Sequence, residues 1–285
     1  NYRLNTYDCI KSLRRIATGT TSVAAIYSRD LFKIPISLPS DEEQQKIAAF
    51  LTAVDTKIEQ LTQKEALLKQ YKKGVMQKIF SQEIRFKADD GSEFESWSYL
   101  KLSDLMYEHK ERNIDDRFTK QDVLSVSGEY GVVNQIEFQG RSFAGESISN
   151  YHVVELNDIV YTKSPLKANP YGIVKTNLYK AGVVSTLYAV YRPKRGLNPS
   201  YINYYFQLDD NVNRYFRPLV HKGAKNDMKI NNGYAISDPI WTPPFAEQNK
   251  IVEYLDVLDR KINQCTAQLD AAKTFKKGLL QQMFV

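Results

Sequence analysis

The chain has 285 residues, 42% of them hydrophobic and 25% charged, which is the balance of a soluble globular protein of one or two domains and excludes a disordered chain. Its formal net charge of +6 permits an acidic partner such as nucleic acid without requiring one. Two cysteines, Cys9 and Cys265, make no disulfide framework and fit a reducing compartment; no signal peptide opens the chain, and no apolar run is long enough to cross a membrane.

In chain order, residues 1–38 are too few to build a core of their own. At a constant offset of 204 they shadow residues 205–242: Gly19 aligns with Gly223, Ile26 with Ile230, Pro35 with Pro239 and Ile36 with Ile240. The same offset carries residues 39–80 onto 243–284 without a gap, with about 17 of 42 positions identical, a true internal repeat. In the first copy Ile47, Val54, Leu61, Leu68 and Val75 recur every seven residues, with Leu51, Ile58 and Ile79 four residues beyond members of that row. In the second, Ile251, Leu258, Cys265, Ala272 and Leu279 recur, flanked by Leu255, Ile262, Leu269 and Met283. This is the spacing of a coiled-coil seam.

Ser40 followed by Glu43 is a capping-box pattern and predicts a helix start near residue 41. Pro243 and Pro244 mark the equivalent start. A helix over either copy would be about 60 Å long and would leave a bare apolar stripe, so the two are expected to pack on each other. The stretch between them is long enough to fold and return the chain, which predicts an antiparallel pair. Glu65, Lys72 and Lys276 interrupt the seam and are expected to fix its register.

Residues 82–96 are a polar connector with an Asp-Gly turn signal. From Trp97 to about residue 238 short apolar runs predict strands over 123–126, 132–138, 151–156, 158–161, 172–174 and 183–191. Residues 103–109 and 200–216 read as helical. The fold class expected is α/β (α+β): a globular domain with twisted, mostly antiparallel or mixed sheets, plus two long helices as an antiparallel coiled coil.

No constellation for catalysis emerges. Thr242, Pro243, Pro244 and Phe245 are similar to the catalytic tetrapeptide of amino-methyltransferases, but Thr is wrong at its first position and no Gly-rich loop precedes it; a helix N-terminus accounts for it better. There is no Walker phosphate loop. His109, His152 and His221 lack ligand spacing, so no metal site is expected.

Basic residues interleaved with Asn, Ser and Gly are commoner. Lys163, Lys167 and Asn169 follow a predicted strand. Lys222, Lys225, Asn226 and Lys229 lie before the second long helix. The repeat mate of that second cluster holds Thr20, preceded by Arg14 and Arg15. Such residues in exposed loops can neutralise phosphates and read base edges; taken singly, each is equally a solvated loop residue. Arg141 is a further candidate, with His109, Lys110, Arg112 and Asn113 behind it. Lys72, Lys73 and Gly74 recur as Lys276, Lys277 and Gly278 late in each helix. Lysines there suit the helix dipole. A mid-helix glycine costs about 1 kcal/mol relative to alanine, so its recurrence points to close packing of another chain or of the partner helix.

A globular domain and a long helix, repeated in tandem, resemble the specificity subunit of type I restriction–modification enzymes. The residues that carry the resemblance are Pro39, Glu43, Gln44, Lys46 and Ile47 with Pro243, Glu247, Gln248, Lys250 and Ile251 at the helix starts. Late in the helices they are Lys72, Lys73, Gly74, Gln77 and Phe80 with Lys276, Lys277, Gly278, Gln281 and Phe284. Trp97 with residues 101–104 is similar to the opening of a target-recognition domain. The resemblance implies a non-catalytic subunit for defence against foreign DNA. Its target-recognition domain reads part of a split duplex DNA sequence in the major groove, and its helices set the spacing.

Two methyltransferase subunits dock on the helices, the Lys-Lys-Gly residues being the expected docking points, and motor-nuclease subunits join them. S-adenosylmethionine, ATP and Mg are expected on those partners and no cofactor on this chain, in a bacterial or archaeal cytoplasm with no membrane contact. The domain division implied is 1–38, the tail of a first target-recognition domain whose remainder is missing; 39–81, the first conserved helix; 82–96, the connector; 97–238, the second target-recognition domain; and 239–285, the second conserved helix. Self-pairing of such a half-subunit is a further expectation. A stand-alone methyltransferase or nuclease fusion fragment, or a related type IIB specificity subunit, is the alternative.

Overall fold

The structure, a computed structural model, describes all residues except 1–6, 21–22, 35–38, 166–168, 223–227 and 284–285. The chain forms two compact units, one from Asn1–Tyr71 with Leu258–Val285 and the other from Lys72–Val257. In chain order the elements are α1 (Tyr7–Ile16), β1 (Thr18–Thr20), β2 (Val23–Ala25), α2 (Ser28–Leu31) and the long α3 (Asp41–Phe80). Next come β3 (Ser98–Lys101), α4 (Leu102–Leu105), β4 (Met106–Glu108), β5 (Leu124–Ser127), β6 (Gly131–Asn134), α5 (Gln135–Gln139), β7 (His152–Val154) and β8 (Ile159–Thr162). The chain ends with β9 (Val174–Thr176), β10 (Gly182–Val184), β11 (Tyr188–Pro193), α6 (Pro199–Tyr205), α7 (Asp209–Phe216), β12 (His221–Lys222), β13 (Met228–Lys229), β14 (Pro239–Thr242) and the long α8 (Phe245–Met283). Among the described residues no helix is long and apolar enough to cross a membrane.

In the first unit α3 and α8 pack along the seam that the heptads define. Leu61, Cys265 and Leu269 are buried together, with Ile58, Leu68 and Ala272 against them. Burying a leucine side chain of this kind contributes roughly 1.5–3 kcal/mol. The pairing is antiparallel: Asp55 meets Lys276, while Glu65, further along α3, meets Thr266, earlier on α8. Cys265 Sγ reaches the carbonyl of Leu61 at 3.6 Å across a sequence separation of 204. That separation is the repeat offset, so these two residues are each other's repeat mates, and a two-fold relation between the helices passes close to them. The polar interruptions of the seam have partners. Glu65 accepts from Thr266 Oγ1 at 2.6 Å and from Lys69 at 2.9 Å, and these bonds, Thr266 first, lower its carboxyl below the usual range.

The α3 start agrees with its sequence signal, since the Glu43 amide donates to Ser40 Oγ at 3.4 Å. Before it, α1 runs into the β1–β2 hairpin and then α2. In the second unit α7 runs into the β12–β13 hairpin, a 3-10 turn (Tyr234–Ile236), β14 and α8. The repeat is therefore visible upstream of both long helices.

The second unit holds a four-stranded sheet in the order β4-β11-β8-β9, antiparallel throughout. Ribbons β7–β10, β5–β6 and β3–β14 complete it, and every pair of named strands is antiparallel. One core cluster is Leu124, Val132, Val154, Val160, Val184 and Val190. Strands β7, β8, β9 and β10 are buried along their whole length, which is why β8 and β10 run mainly apolar instead of alternating; β9 buries Lys175 and Thr176 as well. Helix α7 seals one side, with Phe216 stacked on Tyr161 at 4.3 Å. Burial raises the Tyr161 phenol well above its ordinary pKa.

Several predicted elements divide differently. The strand expected over 132–138 stops at Asn134, whose Oδ1 accepts from the Ile136 and Glu137 amides at 3.0 and 3.1 Å and starts α5. The helix expected over 103–109 ends after Leu105, because Met106–Glu108 pair with β11. The strand over 183–191 is two strands parted by a turn in which Ser185 Oγ accepts from the Leu187 amide at 3.3 Å. The helix over 200–216 breaks where Leu208 takes an extended backbone. β3 and β14, which pair with each other, go unpredicted, β3 being largely exposed.

The first turns of α8 anchor this unit. The Glu247 carboxylate is fully buried and accepts from Arg85 Nη2 at 2.6 Å, Arg85 Nε at 3.0 Å and Trp97 Nε1 at 3.0 Å. Gln248 joins it, accepting from the Asn198 amide at 2.8 Å and donating to the carbonyls of Gly196 and Pro243. Their repeat mates Glu43 and Gln44 are exposed. Glu247→Ala strands Arg85 and Trp97 and is expected to cost about 2–3 kcal/mol, below the full value for a buried pair because Arg85 reaches solvent. Glu43→Ala should leave Tm within about 1 °C. Thermal unfolding of the two variants side by side measures the contrast.

Candidate nucleic-acid interface

Residues 163–165 after β8 and 169–171 before β9 are the described ends of the Lys163 loop, and they stand on a rigid base. The Thr162 amide donates to the Ile173 carbonyl at 2.9 Å, the Ile173 amide to Thr162 Oγ1 at 3.0 Å, and Tyr161 OH to the Tyr171 carbonyl at 2.7 Å. Gly172 closes the base with φ +85, and a Cβ there would lie 2.0 Å from the Thr162 carbonyl oxygen. Only glycine meets both demands. Gly172→Ala should cost on the order of 2–3 kcal/mol and lower Tm by roughly 5–10 °C in a melt of the purified chain.

Two side chains fasten this loop to its surroundings. Lys163 is half-buried and donates to Asn232 Oδ1 at 3.1 Å; Asn232 Nδ2 donates to Glu108 Oε1 at 2.9 Å, and the Asn232 carbonyl accepts from Tyr191 OH at 2.8 Å. Desolvation lowers the Lys163 ammonium below its usual pKa, opposed by Glu108. Asn169 is buried and donates to Asp209 Oδ1, at the start of α7, at 2.8 Å. The loop is thus joined to the chain that follows the β12–β13 hairpin and to the helix that precedes it. Sequence spacing gave no sign of the Asn232 hub, which lies 69 residues from Lys163.

The other predicted site residues fall as follows. Lys222 lies on β12, Lys229 on β13 and Thr20 on β1, while Lys167, Lys225 and Asn226 lie outside the described residues. Arg14 and Arg15 are exposed in the last turn of α1. Arg141 is exposed and lies over the Phe143 ring at 4.6 Å. Asn113 is a structural staple, its amide bonded both ways to the Phe118 backbone. Lys110 lies 3.7 Å from Glu108, and Arg112 donates to the Asn150 carbonyl at 2.7 Å.

In the late-helix motif Lys72 is 6% exposed, donating to Gln207 Oε1 at 3.1 Å with its ammonium over the Tyr204 ring. Lys276 pairs with Asp55, and Lys73 and Lys277 are exposed. No atom comes within 4 Å of a Cβ built on Gly74 or Gly278. Close packing by the partner helix therefore does not explain these glycines. Two arginines that sequence reading missed, Arg214 and Arg217, line an open cleft with Asn213 and Pro218 at the end of α7. Their signal was their place just before a hairpin, as with Arg14 and Arg15.

No group of three or more His, Cys, Asp or Glu side chains suited to a metal ion occurs among the described residues. His152 is buried on β7 with Nδ1 unpartnered; burial first, then Arg112 and Lys163, push its pKa down to about 4. It stays neutral when folded but takes up a proton near its ordinary pKa of about 6.5 when unfolded. Its contribution is complete above about pH 6.5 and is lost as pH falls toward 4. Between pH 7 and 5 the loss should be about 2 kcal/mol, and His152→Asn should remove that slope from denaturant titrations at the two pH values.

Comparison with known proteins gives concordant results. Residues 4–70 match the family described as the type I restriction modification DNA specificity domain. Three solved structures share the fold along nearly the whole chain. The HsdS subunit from Thermoanaerobacter tengcongensis is 17% identical with a TM-score of 0.50, the match covering 99% of this chain and 68% of that one. The type I restriction-modification S subunit from M. genitalium is 16% identical with a TM-score of 0.56, covering 98% and 71%. A chain described under complex assembly and conformational transition of the type I R-M system is 17% identical with a TM-score of 0.51, covering 96% and 67%. At these identities the likeness is one of fold.

Proposed function

We propose that this chain, whose residues 4–70 belong to the type I restriction–modification DNA specificity family and whose fold is that of the S subunits, is the DNA specificity subunit of such a complex. The observation that carries the reading is the repeated order of hairpin followed by long helix, with the two helices packed antiparallel. An element that occurs twice suits a target split into two parts.

The unit of residues 72–257 reads one part of the target in the major groove, through the Lys163 loop and the β12–β13 hairpin. Phosphate contacts position it and base-edge contacts specify the sequence. Methyltransferase subunits dock on the long helices, and the uncovered Gly74 and Gly278 allow a partner's backbone to approach. The chain itself is non-catalytic; S-adenosylmethionine, ATP and Mg belong to the methyltransferase and motor-nuclease partners. The complex works in the cytoplasm.

The test is co-expression with the cognate methyltransferase subunit and base-resolution mapping of methylated adenines. A split motif with one fixed spacer is expected. A palindromic split motif would mean that two copies of this reading unit assemble. A complex that forms and methylates nothing would overturn the reading and leave a docking scaffold.

A further inference from the structure

We infer that the exposed face of α7 is a phosphate-contacting rail, in which Arg214 and Arg217 hold neighbouring phosphates of one DNA strand and orient the two reading loops without reading sequence. The inference rests on the DNA-specificity reading above and deepens it by assigning residues and a ligand class, the phosphodiester backbone.

Placement is the first argument. α7 begins at Asp209, which the buried Asn169 ties to the Lys163 loop, and four residues after Arg217 the chain enters the hairpin. The helix therefore bridges the two loops. Its inner face is fixed, with Val212, Tyr215 and Phe216 buried. Its outer face carries Asp210 and Arg214, and the exposed Arg217 caps its end.

Charge is the second argument. The other arginines of this unit are mostly engaged. Arg85, Arg117 and Arg192 meet carboxylates, Arg112 a backbone carbonyl, and Arg141 a ring. Among the described residues Arg214 and Arg217 form no ion pair, and Asp210, four residues before Arg214, is not within pairing distance. Arg195 is also unpaired, but it stands alone in the turn after β11. The negative end of the helix dipole accounts for cations here, yet it does not ask for two exposed guanidiniums beside an open cleft. A guanidinium is the side chain best shaped for bidentate phosphate contact.

Repetition is the third argument. In the other unit α1 also ends in two exposed arginines, Arg14 and Arg15, and runs directly into a hairpin. The offset of 204 carries Arg214 onto Ile10 and Arg217 onto Leu13, so the pairs are not repeat mates; what recurs is an arginine pair just before each hairpin.

The experiment uses the full chain assembled with its methyltransferase partners, with binding measured against salt on a duplex bearing the mapped target and on an unrelated duplex. R214A/R217A should flatten the log–log salt slope by about 0.9 for each arginine and weaken both duplexes by the same factor, on the order of tenfold. The mapped methylation motif should not change. R214K/R217K should restore the slope, and R195A should leave it as in the wild type. If the double variant fails to assemble, R214A and R217A singly should each lose about half the effect. An unchanged slope in an intact complex, or a loss confined to the target duplex with an altered motif, overturns the inference. A wild-type complex with no preference for its target overturns the underlying reading instead.

Discussion

The seam between α3 and α8 is the constraint on which the rest depends. Each helix alone would present an apolar stripe to water along a length of about 60 Å. Packing them antiparallel covers the middle of both stripes, where Leu61, Cys265 and Leu269 are buried together. The register is not left to leucines alone. Asp55 with Lys276 and Glu65 with Thr266 place polar groups where a slip would unpair them. The facing of Leu61 and Cys265, repeat mates at the offset of 204, makes the pair internally symmetric.

The repeat is symmetric in sequence but not in burial. At the start of α8 Glu247, Gln248, Ile251 and Val252 are buried within the second unit, whereas Glu43 and Gln44 at the start of α3 are exposed. The same residue types thus perform different work. Glu247, itself fully buried, collects a guanidinium and an indole N–H, and each bond is strong because the alternative is an unpaired buried charge. At the start of α8 the residues that carry the resemblance, Glu247 and Gln248, have this anchoring role.

The described ends of the Lys163 loop stand on a fixed base. Gly172, Tyr161 and Thr162 close the Lys163 loop, and Phe216 stacked on Tyr161 fixes α7 beneath it. Rigid placement of exposed polar groups is what base-edge recognition requires, since a bidentate contact tolerates little displacement. Several residues that look like contacts in sequence belong to this base. Asn169 turns inward to Asp209, Asn113 staples its own turn, and Lys72 is spent on Gln207 and Tyr204.

The sequence by itself determined the two long helices, their heptad seam, their antiparallel pairing and the repeat that extends upstream of them. Those are properties of local spacing, and a period of seven survives any tertiary context. The family likeness was legible for the same reason, because it lies mainly in the helices. Only the tertiary structure decided how the middle of the chain divides and which side chains meet. Strands buried on both faces carry no alternation to read, so the break at Asn134 and the switch from α4 to β4 depend on capping and on pairing with β11. Lys163 with Asn232 and Lys72 with Gln207 are 69 and 135 residues apart, and no spacing rule reaches that far. Whether a lysine is a free contact or a buried tie is a matter of what folds against it, and that is fixed only when the chain has closed.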